Sequence, residues 1–154
     1  MKQSPPEKEL MRNLGSSKFS AEGFLGSDSR PVDEIVSEDS RSLEKNLVAK
    51  EALVEALQNA YETAKEAFGA KVEVRSGVTA VFYESMGHIP SPFQADGVFE
   101  KGEAVVKDEE SGHAIVITSL GIHLIEKYRF FQGKGSRYRI DPDVAVKIFH
   151  LSPE

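Results

Sequence analysis

The chain has 154 residues, 40% of them hydrophobic, which supports one substantial core and not two. It contains no cysteine, so disulfides, thiol nucleophiles and thiolate metal sites are excluded. A formal net charge of -6 weighs against a general nucleic-acid binder, and the lack of a signal-like N-terminus or of a bilayer-length apolar run points to a cytoplasmic protein without a membrane partner.

In chain order, Ser4-Pro-Pro-Glu7 has capping-box spacing ahead of Leu10, Met11 and Leu14, which predicts a short docking helix. Residues 15 to 30 are rich in serine and glycine, but Phe19, Phe24 and Leu25 interrupt them. Flexible linkers seldom carry aromatic side chains, so residues 1–30 are expected to form an arm anchored by these three, on the body or on a second subunit. A homodimer is accordingly one expected partner state. Residues 31–154 are expected to form a single domain.

Pro31, Asp33 and Glu34 open a helical region that runs to about Phe68, with a boundary left open near Asp39, Ser40 and Asn46. Leu53, Leu57, Ala60, Ala64 and Phe68 recur at helical spacing and predict one buried face, with Gly69 closing the helix. From Val72 the period changes to two. Val72 and Val74, the turn Ser76-Gly77 and then Val78 to Tyr83 predict a hairpin. Met86 to Phe93, with Gly87, Pro90 and Pro92, reads as a shaped loop. Val98 and Phe99 begin a further strand, and Ala104–Lys107 pairs with His113–Thr118 across a polar turn.

The last segment is the most definite. Leu120, Leu124, Tyr128 and Phe131 share a helical face that Gly133 ends, and Arg137-Tyr-Arg-Ile140 alternates like a short strand with both arginines in water. Asp141 and Pro142 then cap a second helix carrying Val144, Ile148 and Leu151. The order of elements predicts an α+β fold, in which N-terminal helices pack on a small, mainly antiparallel sheet closed by a C-terminal helix-turn-strand-helix unit.

Two kinds of site are suggested. Thr118 onward carries six basic and four acidic residues, against an acidic remainder. Lys134, Arg137 and Arg139 beside flexible glycines form a candidate anion-binding turn, suited to a small anionic ligand or an acidic protein segment. As exposed charges, both arginines should be replaceable at little cost in stability. The turn lacks the spacing of a P-loop or a dinucleotide fingerprint, so no cofactor is implied. The histidines supply the alternative. His123 and Glu126 lie one helical turn apart, and His88 or His113 would have to approach from the sheet to complete a metal site, for which no short ligand motif exists. Ser85 to Ser91 places His88 near serines, but there is no G-x-S-x-G elbow.

His123-Leu-Ile-Glu-Lys-Tyr-Arg-Phe-Phe-Gln-Gly-Lys-Gly-Ser-Arg-Tyr-Arg-Ile-Asp-Pro142, together with Gly23-Phe-Leu-Gly-Ser-Asp-Ser-Arg30, resembles sequences of a small uncharacterised bacterial protein family. That resemblance implies no chemistry. The expectation is a non-catalytic binding or interaction protein, with a small histidine-dependent or metal-assisted enzyme as the alternative.

Overall fold

A computed structural model describes residues 23–93 and 96–151. Its elements are α1 (Val32–Lys45), α2 (Lys50–Glu66), β1 (Val72–Arg75), β2 (Val78–Tyr83), β3 (His88–Pro90), β4 (Val98–Glu100), β5 (Glu103–Asp108), β6 (Ala114–Thr118), α3 (Ser119–Tyr128) and α4 (Pro142–Ile148). This is the expected α+β order. The docking helix predicted from Ser4, and Phe19, lie outside the described residues.

The boundary left open between the first two helices falls at Asn46–Ala49. Leu47 takes φ 56°, and the Val48 amide reaches back to the Leu43 carbonyl at 3.1 Å, so a left-handed residue turns the chain out of α1. In α2, Leu53, Leu57, Ala60 and Ala64 are buried as their spacing predicts, with Val54 and Tyr61 beside them. Phe68 departs from that stripe. The helix ends at Glu66, Phe68 turns to φ 51°, and its ring is 93% exposed.

α2 packs on a four-stranded antiparallel sheet of order β1-β2-β5-β6. Alternation sends every second side chain inward. Ala80 lies opposite Val106 and Val106 opposite Ile115, while Phe82 lies opposite Ala104 and Ala104 opposite Ile117, which makes two apolar rows across the buried face. Met86 to Phe93, expected as a loop, instead contains β3, which pairs with β4 as a separate two-stranded ribbon. Pro90 is tolerated there because a two-stranded ribbon leaves one edge of each strand unpaired.

A second apolar cluster joins Phe24, Leu25, Ile35, Leu120, Leu124 and Phe130, with Ile89, Phe93 and Phe99 of the ribbon region packed against it. It explains where α3 stops. The expected helix through Phe131 ends at Tyr128, because Arg129 takes φ 54° and the Phe130 amide bonds to the Leu124 carbonyl. Continued helix would point adjacent residues about 100° apart, exposing one of the two phenylalanines. Unwinding instead sends Phe130 into this second cluster and Phe131 into the main core.

The strand expected at Arg137–Ile140 does not form. Its amides are spent on local turns and on the preceding segment: Ser136 bonds to Gly133, Arg139 to Ser136, and Ile140 to Phe131. Ile140 is nevertheless buried, and α4 begins as predicted, with Asp141 Oδ1 accepting from the amides of Asp143 and Val144.

Residues 23–28 and 132–136 lie against one another. Gly133 N donates to Phe24 O at 2.8 Å, Ser27 N to Lys134 O at 3.0 Å, and Ser136 Oγ to Gly23 O at 3.1 Å. A Cβ on Gly133 would overlap the Leu25 carbonyl, and one on Gly26 would overlap the Gly135–Ser136 backbone. Both glycines are required by this close approach.

Candidate functional site

The basic turn does not present two arginines on one face. Arg139 turns inward and forks onto Asp39, with bonds of 2.8 and 2.9 Å, while its Nη1 also donates to the Gln132 carbonyl at 2.7 Å. Arg137 bonds to Glu103 at 2.7 Å and lies near the Tyr138 ring. Lys134 is exposed, and its ammonium makes no ion pair among the described residues. Its backbone is held instead, the amide by Asp28 Oδ2 at 3.1 Å and the carbonyl by Ser27 N at 3.0 Å. The alternation that suggested a shared outer face is absent because the segment is a turn.

The histidines are dispersed. His113 is exposed beside the β5–β6 turn, and His88 is exposed on β3 opposite Glu100. Among the described residues, no three histidine, aspartate or glutamate side chains gather as a metal site. His123 and Glu126 do share a surface, and it is a cleft.

This cleft, of about 240 Å³, lies between α2, α3 and β4. Helical spacing places Gln58, Tyr61 and Glu62 on its α2 wall and Ser119, Ile122, His123 and Glu126 on its α3 wall, while Phe99 and Glu100 close it from β4. Two hydrogen-bonded networks fix three of its polar side chains, Tyr61, Glu100 and His123. In the first, Glu100 accepts from the Tyr61 hydroxyl at 2.5 Å and from Lys65 Nζ at 3.0 Å. The Tyr61 hydroxyl, followed by the Lys65 ammonium, holds the Glu100 carboxyl below its ordinary range, and burial followed by the neighbouring carboxylate pushes the Tyr61 phenol up.

The second network converges on Asp96, whose side chain is 1% exposed. Its carboxylate meets Lys127 Nζ at 2.8 Å, His123 Nε2 and the Tyr128 hydroxyl at 2.9 Å, and Ser91 Oγ at 3.1 Å. Lys127 first, then His123, Tyr128 and Ser91, hold the Asp96 carboxyl well below the usual range. The His123 ring also rests against Phe99, with centroids 4.7 Å apart. One ring nitrogen is thus tied to a charge at the back of the site. Nδ1 has no hydrogen-bond partner among the described residues.

Compared with family models, curated proteins and solved structures, the chain matches none.

Sequence reasoning found His123 and Glu126 by their spacing but missed Asp96, Tyr61, Glu100 and Ser119. Asp96 is 27 residues from His123, and Tyr61 is 39 residues from Glu100. Neither pair leaves a local spacing signal. Tyr61 alone was accessible, since it sits beside Ala60 and Ala64 on the buried stripe of α2, where a phenol requires a polar partner.

Proposed function

We propose that this chain is a small-ligand-binding protein whose ligand occupies the cleft between α2, α3 and β4 in preference to the basic turn. The observation that carries this reading is the fixing of His123: Asp96 holds one ring nitrogen from behind while the ring lines the cleft. Tyr61 and Glu100 are held in the same way, so binding need not order these three side chains. Apolar contact comes from Phe99 and Ile122. Glu62, Glu100 and Glu126 make the lining acidic, which favours a neutral or cationic ligand. A cytoplasmic setting belongs to this reading, supported by the absence of cysteine.

The basic turn supports the earlier idea of an anion contact less well, because Asp39 and Glu103 already occupy its two arginines. A histidine-dependent enzyme is a second reading of the same cleft. The His123–Asp96 pair favours it, since a carboxylate behind an imidazole is the arrangement that orients a general base.

The test is an amide-resolved NMR titration with a library of small amines, alcohols and amides. Binders should move the resonances of residues 58–62, 99–100 and 119–126. Hits confined to other surfaces, or none at all, would overturn the assignment.

A further inference from the structure

We propose that Ser119, His123 and Asp96 form a nucleophilic relay in this cleft, directed at the acyl carbon of a small neutral or cationic ester. The inference rests on the cleft being the ligand site and adds a chemistry to it.

Ser119 is the first residue of α3, directly after β6, so its hydroxyl stands at a strand-to-helix junction. The full G-x-S-x-G elbow is absent, but Ser119-Leu120-Gly121 carries its second half at the corresponding junction. Gly121 is buried, and a Cβ there would crowd the Thr118 Oγ1 that caps the helix. Ser119 and His123 are one helical turn apart and line the same cleft. Helical side chains lean toward the N-terminus, which directs the imidazole toward the residue four positions earlier.

Because Asp96 takes Nε2, Nδ1 is the nitrogen left for the serine. The Ser119 hydroxyl has no hydrogen-bond partner among the described residues, and it is not bonded to His123. Joining the two would break no side-chain hydrogen bond among the described residues.

The chemistry balances without a co-reactant other than water. Ser119 Oγ bonds to the acyl carbon as its proton passes to His123 Nδ1. The carbon–oxygen bond to the leaving group then breaks, and His123 returns that proton to the departing alcohol. Water attacks the acyl-serine, gives a proton to His123, and the Oγ–carbon bond breaks as Oγ is reprotonated. Asp96 acts as a positioning residue, fixing the imidazole and balancing its positive charge. The positive end of α3 lies at Ser119, where the oxyanion of the tetrahedral adduct forms.

The test uses the full chain with an alkyl fluorophosphonate probe and with p-nitrophenyl acetate. One probe equivalent should attach at Ser119, identified by peptide mass, and S119A should take none while melting as the native protein does. H123A should slow labelling by about 100-fold, in the range of general-base contributions. D96N should slow labelling in the native background yet add nothing in H123A, a non-additivity that a merely structural aspartate would not produce. If D96N does not fold, H123Q replaces it as the second variant, and it must also be slow. Absence of a Ser119 adduct, or labelling indifferent to His123, would overturn the relay. Cleft-directed shifts in the NMR titration without an adduct would sink the relay alone, whereas neither shifts nor adduct would sink both.

Discussion

Arg139 clasps Asp39 across 100 residues of chain through two parallel hydrogen bonds, and the two side chains are only 10% and 6% exposed. Position 139 is therefore structural, which corrects the expectation that it is a solvent-facing charge. R139A should destabilise the fold by about 3–5 kcal/mol, because it leaves the Asp39 carboxylate buried without its partner. R139K keeps the charge but loses the fork and should recover only part of this. R137A, removing a 55%-exposed side chain, should cost less than about 1 kcal/mol. Chemical denaturation of the three variants checks the order, and equal losses at both arginines would contradict it.

Gly133 is hydrogen-bonded to Phe24 and leaves no room for a methyl group against the Leu25 backbone. G133A should therefore cost about 1–3 kcal/mol, the usual range for overpacking. G112A offers a control, since a Cβ there meets nothing within 4 Å. Its positive φ adds backbone strain but no clash. Urea midpoints separate the two, and a G133A midpoint at or above that of the native protein would mean that the interlock yields without cost.

The regular elements were legible in the sequence because their signals are local. The stripe from Leu53 to Ala64, the Val72–Tyr83 hairpin and the Asp141-Pro142 helix start are each written within a few residues of one another. Errors arose where a distant partner overrode a local pattern. Phe131 fits a helical face, but two apolar clusters compete for adjacent phenylalanines and unwind the helix before it. Arg137 to Ile140 alternates like a strand, yet Asp39 and Glu103 draw its arginines in different directions. The cleft was half visible. His123 and Glu126 share a helix, whereas Asp96 reaches His123 from a turn whose sequence says nothing about its destination.

Two buried aspartates give the stability of the fold a definite pH dependence. Asp28 is held well below the usual carboxylate range, first by Arg30, then by the amides of Lys134 and Arg30, against the opposing effect of burial. Asp96 is lowered likewise by Lys127, His123, Tyr128 and Ser91. A carboxyl whose folded pKa is depressed contributes stability that is complete above its unfolded pKa, about 3.9, and is lost as pH falls through that value toward the folded one. The melting temperature should thus hold from about pH 7 to 5 and drop below about pH 4. D28N and D96N should each melt lower at neutral pH and lose less on acidification. An acid slope unchanged in both variants would assign the effect to other groups.

Phe24 and Leu25 are 4% and 6% exposed, within a cluster contributed by the same chain. Of the two anchoring modes expected for the arm, onto the body or onto a second subunit, these residues adopt the first. Phe24 packs with Ile35 of α1 and Leu120 and Leu124 of α3, and its carbonyl accepts from Gly133. F24A should therefore cost about 3–5 kcal/mol through the cavity it leaves. Deleting residues 1–29 should cost at least as much, since it also removes Leu25 and the Asp28 carboxylate that holds Arg30 and the Lys134 amide. Because Phe24 is covered by its own chain, F24A should lower stability without changing the sedimentation coefficient of the folded protein. A dimer-to-monomer shift in F24A at unchanged melting temperature would instead place the anchor between subunits.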